Sequence, residues 1–180
     1  MEAAELRALQ QPLKERYRAD PDTALTPVAA TGHFAGPGVA VAVDQQAGPA
    51  RAGLHPATGG DGTEACSGDM LLEALVACAA VTFRSVATAM GMPITVGLVR
   101  AEGSFDARGT LGVDRSVPVG LQDVVVRFDV DTDADDSALA RLATATERYC
   151  VVGRSLAVPL RFEVRRSGSG MPATSAPPAP

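Results

Sequence analysis

The sequence predicts an α+β fold, with helices packed on one face of a mainly antiparallel sheet. Three observations predict it. Residues 67–90, SGDMLLEALVACAAVTFRSVATAM, form a long apolar helical stretch. Short Val-rich and Ala-rich runs with strand character lie on both sides of it. A second, amphipathic helix at about 136–149 then precedes a last strand.

The stretch at 67–90 organises the rest. From Met70 to Phe83 only Glu73, Cys78 and Thr82 interrupt the apolar run, and no Gly or Pro occurs from Met70 to Met90. Ser67 is the expected N-cap, which puts Asp69 in the first turn, where a negative charge suits the helix dipole. A helix apolar on nearly every side must be wrapped by other structure. The run is short and Ala-rich for a membrane span, which takes about 18–20 strongly apolar residues. The expectation is therefore a buried central helix with a thiol, Cys78, at its middle, and no membrane partner.

Composition narrows the function classes. The chain has 180 residues, a net charge of -5 and scattered basic residues, with Lys14 the only lysine. That argues against nucleic acid as a partner. There is no Trp and aromatics are 4%, so aliphatic side chains must fill the core. The start, MEAAELRALQQ, is acidic and amphipathic, without the basic start and apolar stretch of a secretory signal, so a cytoplasmic location is expected. Three cysteines in such a compartment are not expected to form a disulfide framework.

Taken in order, residues 2–18 read as a helix with the stripe Leu6, Leu9, Leu13 and Tyr17, kinked or split by Pro12. Residues 1–22 are thus a helical extension ahead of a domain at 23–166. Residues 25–31 and 39–44 read as strands joined by a loop holding His33 and Phe34, and 50–54 as a third. Residues 55–69, HPATGGDGTEACSGD, read as a long loop, a common place for function. GGDG at 59–62 follows no convincing strand and lacks the Lys-Ser/Thr of a phosphate loop. Gly91-Met92-Pro93 closes the central helix. Strands are expected at 94–102 and 121–130, an acidic turn at 131–135, the second helix at 136–149 and a last strand at 157–165. Residues 167–180, SGSGMPATSAPPAP, have the composition of a disordered tail.

The residue chemistry alone leaves the cysteines open. Free Cys is among the most buried residue types, so Cys78 and Cys150 can be inert core thiols. They can equally be redox groups, in which a thiolate attacks and a second thiol condenses with the product. Cys66, at the helix entrance, reads as an incidental loop cysteine, and His33 and His55 as ordinary loop histidines. Cys66, Cys78, Cys150 and the histidines show no zinc-ligand spacing.

Two motifs carry a family likeness. GGDG followed by SGDMLLEALVACAAVTFRSVA resembles the central helix of the OsmC/Ohr family, the osmotically induced protein C-like thiol peroxidases, with its "P-x-E-L-L-x-A-A-L-A-A-C" type run. LLEALVAC, residues 71–78, falls on that run and puts Cys78 at the first family cysteine. ERYCVVGRSLAVPLRFEV, residues 147–164, resembles the segment of the second, and Cys150 takes that position. The likeness covers roughly residues 25–165. There are departures. Thr31-Gly32-His33-Phe34 stands where a T-G-G-R-like turn carries an Arg, and Val151 stands where a Pro commonly follows the second cysteine. The family's acidic partner lies nine or ten residues before the first cysteine, which makes Asp69 the candidate.

The resemblance implies an OsmC-like fold in an intertwined homodimer, with each active site at the subunit interface. It implies a metal-free, cofactor-free thiol peroxidase for organic hydroperoxides, with Cys78, Cys150 and Asp69 as site residues. A Cys78 thiolate would become a sulfenic acid and then a Cys78–Cys150 disulfide, reopened by a thiol reductant such as a lipoyl-type dithiol. The alternative is a non-catalytic OsmC-like protein that binds an apolar small molecule or acts in stress. Asp69 lies nine residues before Cys78, about 13 Å along a continuous helix and on its other side. A direct Asp69–Cys78 contact then needs a later helix start, or an arginine bridging the two, and Arg51, Arg16, Arg18 and His55 are the candidate cations.

Overall fold

The structure, a computed structural model, describes residues 1–34, 39–45, 48–94 and 97–167. Helix α1 (Ala3–Ala19) comes first, and Pro12 lies inside it without splitting it. A short 3-10 turn follows at Pro21–Ala24. Strands β1 (Gly32–Phe34), β2 (Val41–Val43), β3 (Ala50–Gly53) and β4 (Ala65–Cys66) form one sheet in that order. The strand expected at 25–31 is not one: pairing begins at Gly32, opposite Val43. Thr26-Pro27 sits in that segment, and a proline removes a ladder donor.

Helix α2 (Ser67–Ala89) runs as the apolar pattern requires. Its N-cap is Cys66, one residue before the expected Ser67. It ends in a Schellman motif: Gly91 takes φ 67°, its N–H donates to the Thr88 carbonyl at 3.0 Å, and the Met92 N–H donates to that of Ala87 at 2.9 Å. Then come β5 (Gly97–Ser104), a one-turn helix α3 (Ala107–Thr110), β6 (Gln122–Val130), α4 (Asp136–Tyr149), α5 (Val151–Ser155) and β7 (Leu160–Arg166). The α5 turn was not expected. Residues 35–38, part of the expected loop, and the expected tail from 168 lie outside the described residues.

The second sheet is ordered β5-β6-β7. β5 and β6 pair antiparallel, whereas β6 and β7 pair parallel. The mainly antiparallel expectation therefore meets two parallel pairings, the other being β3 with β4. The reason is the connection. A chain that leaves β6 and returns through α4 and α5 crosses the sheet and re-enters in the same direction.

The core lies between that sheet and the two long helices. α2 contributes one buried stripe, Leu75, Ala79, Phe83 and Ala87, at the four-residue spacing of a single helix face. β6 contributes Val124, Val126, Phe128 and Val130, alternate residues on one face, and α4 contributes Leu139, Leu142 and Thr146. Phe128 stacks on Phe83 with ring centroids 4.3 Å apart and on Phe162 at 6.2 Å. On the opposite sheet face Arg127 pairs with Glu102 and, at 3.2 Å, with Glu163, over the buried Val125.

α2 is long and apolar enough to cross a membrane by length and composition. In the fold it occupies the middle, against α1, α4, α5 and β5. Within one chain only its inner stripe is buried. Leu71, Ala74, Ala77 and Val81 form an exposed apolar stripe beside Cys78, and Val81 is 68% exposed. Among the described residues none before Leu75 is buried, so the first sheet adds nothing to this core.

Candidate active site

The site is built where α4 breaks. α4 stops at Tyr149 and α5 restarts at Val151, with Cys150 between them in extended conformation at φ -74°, ψ 103°. That residue closes one helix and caps the next. Its N–H donates to the Thr146 carbonyl at 2.9 Å, and its Sγ accepts the Gly153 N–H at 3.4 Å. Gly153 allows the close approach, since a Cβ there would lie 3.3 Å from that sulfur and 3.3 Å from Leu160 Cδ1. The first N–H groups of a helix have no partner inside it. In α5, which packs against α2, those of Val151 and Val152 lie near enough to Cys78 to favour charge on it.

α2 packs against α4 and α5 at this break, and the two thiols, 72 residues apart in sequence, lie close enough to affect each other's ionisation. Their environments push them in opposite directions. Partial burial raises the Cys78 thiol, but the Val152 N–H, the Cys150 thiol, the Thr82 hydroxyl and the Val151 N–H together bring it below the ordinary thiol value. Cys150 is 0% exposed, and burial pushes it up. The Gly153 N–H works against that, while the neighbouring Cys78 raises it further. Cys78 is therefore the better thiolate and the half-exposed one; Cys150 is the sheltered, protonated partner.

The remaining candidates stand elsewhere. Asp69 is exposed in the first turn of α2, so the continuous helix keeps it about two and a half turns from Cys78. Among the described residues no cation bridges them. Arg51 donates to Glu64 at 2.9 Å. Arg16 lies over the Tyr17 ring at 5.0 Å, and Arg18 is exposed near the end of α1. His33 faces Asp44 at 3.2 Å. His55 accepts the Ala57 N–H on Nδ1 and meets Phe105 edge to face. Cys66 lies at the far end of α2, twelve residues before Cys78, on an apolar groove of about 400 Å³ with His55, Leu71 and Phe105. No group of three or more metal-ligating side chains comes together among the described residues.

Sequence reasoning missed the donors around Cys78. The N–H groups of Val151 and Val152 carry no residue signature. Thr82 did leave a signal, as one of three interruptions in the apolar run and four residues after the cysteine.

A central apolar helix and a capped helix break, each presenting one thiol to the other, define a protein of the OsmC class. The family model for OsmC-like protein matches residues 60–165, a span that includes both cysteines, and the chain belongs to that family. Solved structures show the same fold. The OsmC-like protein from Mycoplasma pneumoniae superposes with a TM-score of 0.65 at 14% identity, covering 79% of this chain and 99% of its own. The organic hydroperoxide resistance protein OhrB of Bacillus subtilis gives 0.59 at 15% identity, covering 78% and 98%. An organic hydroperoxide resistance protein from Elizabethkingia anophelis gives 0.64 at 13% identity, covering 79% and 98%. No curated protein matches the sequence.

Proposed function

We propose that this chain is a cysteine-based peroxidase that reduces organic hydroperoxides. The observation that carries the reading is the pairing of a lowered, half-exposed Cys78 thiol with a raised, buried Cys150 thiol at one helix junction. Two solved structures of this fold are named organic hydroperoxide resistance proteins, which supports the same substrate class.

In this scheme the Cys78 thiolate attacks the distal peroxide oxygen. The O–O bond breaks, the alkoxide leaves and takes a proton to become an alcohol, and the sulfur becomes a sulfenic acid. The Cys150 sulfur then attacks Cys78, forms the disulfide and releases water. A thiol reductant, for which a lipoyl-type dithiol is the proposed class, returns both thiols by exchange. Asp69 has no part in these steps within one chain.

The active unit is proposed to be an intertwined homodimer. The exposed stripe Leu71, Ala74, Ala77 and Val81 and the unburied first sheet support this, because both need cover that one chain does not supply. The non-catalytic alternative has one observation in its favour: among the described residues no charged side chain acts on Cys78. A thiol count after one equivalent of cumene hydroperoxide separates the two. Loss of two thiols per chain is the expected result, and retention of all three would overturn the peroxidase reading.

A further inference from the structure

α5 is five residues long, and a helix that short does not hold by itself. Its inward support is small. Gly153 is buried, and Val152 and the following Leu156 pack against the core, while Val151, Arg154 and Ser155 are exposed. Its start is held by one residue. The Cys150 carbonyl accepts the Arg154 N–H at 2.9 Å, and the Cys150 Sγ accepts the Gly153 N–H at 3.4 Å. Among the described residues that sulfur is the one side-chain acceptor for the first N–H groups of α5.

The same sulfur has a second duty in the proposed function. All three cysteines are free in this structure, so the sulfur is available to cap. Bonding to Cys78 draws it toward α2, which packs against both α4 and α5. The Gly153 N–H then loses its partner. Nothing on α5 replaces it: residue 153 has no side chain, and the Ser155 hydroxyl already donates to the Val151 carbonyl at 2.9 Å.

We propose that α5 is a redox-responsive strap, docked while the Cys150 thiol caps it and released when Cys150 bonds to Cys78. The proposal rests on the reading of Cys78 and Cys150 as a reactive pair. α5 also walls a cavity of about 300 Å³, lined by Gly153, Arg154, Leu156 and Leu160 with Glu147 of α4. Gly153 borders both that cavity and the Cys150 sulfur, which is sealed from solvent. Release of α5 opens a way to this sulfur at the stage when a reductant has to reach the disulfide.

The test uses the full chain carrying Cys66→Ser, which leaves one pair of thiols, and diamide, which needs no peroxide. Two S–H bonds break and one S–S bond forms; diamide takes both hydrogens, with their electrons, across its N=N bond and becomes a hydrazine. Intact mass reports the loss of the hydrogens, and amide hydrogen exchange is followed by peptide mass in the reduced and oxidised chains. Exchange within 151–156 is expected to rise about three- to thirtyfold on oxidation, while α4 keeps its protection. Cys150→Ser in the same background cannot form the bond and keeps a capping hydroxyl, so diamide should leave its α5 protected. Unchanged exchange within 151–156 in a chain that has formed the disulfide would overturn this proposal alone. So would an equal rise in Cys150→Ser, or a rise that spreads through α4, since the whole fold and not the strap would then be loosened. A chain that forms no disulfide would overturn the proposal together with the pairing of the thiols. Should Cys150→Ser fail to fold, the comparison of reduced and oxidised chains decides by itself. A chain that releases α5 on oxidation yet reduces no hydroperoxide would sink the proposed function and leave the strap standing.

Discussion

The thiol of Cys78 neighbours the thiol of Cys150 across the contact of α2 with the α4–α5 break, and the pKa of the first is pushed down while that of the second is pushed up. Neutral groups do this. Burial holds Cys150 protonated, while backbone N–H groups and a hydroxyl favour charge on Cys78. The proposed division of labour between an attacking and a resolving sulfur rests on this difference.

Cysteine variants should therefore differ in kind. With one equivalent of cumene hydroperoxide, intact mass should fall by about two hydrogens in the parent and in Cys66→Ser, as a disulfide forms. Cys150→Ser should gain about one oxygen, or more on over-oxidation, because no thiol is there to condense. Cys78→Ser should not react stoichiometrically. A Cys78→Ser chain that still forms a disulfide at the parent rate would move the chemistry to Cys66 and Cys150.

The two thiols should also titrate in order. Cys78 lies below the ordinary thiol value in the folded chain, so it contributes stability at alkaline pH that fades as pH falls through its folded pKa. Cys150 lies above it and contributes in the opposite sense, up to the pH where it ionises. Alkylation mapped by peptide mass should reach Cys78 at lower pH than Cys150. The reverse order would contradict the assignment of roles.

Gly153→Ala tests the tightness of the break. The added methyl would sit 3.3 Å from the Cys150 sulfur, 3.3 Å from Leu160 Cδ1 and 3.5 Å from Phe162 Cζ. Overpacking of this sort costs about 1–3 kcal/mol. A lower denaturation midpoint and slower disulfide formation are expected. An unchanged midpoint would mean that α5 shifts freely and that the cap on Cys150 is loose.

Phe128→Ala should be the most damaging single change in the second sheet. Phe128 is fully buried between Phe83 and Phe162, and there is no Trp to share the load. A loss of about 3–5 kcal/mol is expected in urea unfolding. A loss below about 1 kcal/mol would show that the aromatic stack is not the centre of the core.

For the proposed dimer, light scattering should give twice the chain mass at micromolar concentration, with a melting temperature that rises with concentration. Val81→Asp should weaken association, since it puts a charge into the exposed apolar stripe of α2. A parent that stays monomeric with a concentration-independent melt would refute the dimer.

Much of the fold was legible because it rests on local pattern. The apolar run marked α2 to within a residue at each end, and the 3.6-residue stripe marked α4 at 136–149. β6 and the shorter β2 and β3 also fell inside their expected runs. The error at 25–31 came from reading apolar residues as a strand where, among the described residues, the only cross-strand bond is the Asp44 N–H to the Thr31 carbonyl at 3.0 Å. The parallel partner of β6 was not legible, because pairing direction depends on how the crossover through α4 and α5 returns.

The amino-acid sequence by itself determined the two long helices, the family and the identity of both cysteines, because each is a property of residue type at fixed spacing. Only the tertiary structure decided what surrounds those cysteines. Both could have been inert core thiols. The break at Cys150 starts α5 beside Cys78, where the N–H groups of Val151 and Val152 favour charge on its sulfur, and a backbone donor has no letter in the sequence. The same packing left Asp69 at the exposed start of an unbroken helix, out of reach of the sulfur, since nine residues of rigid helix set a distance that no side chain spans.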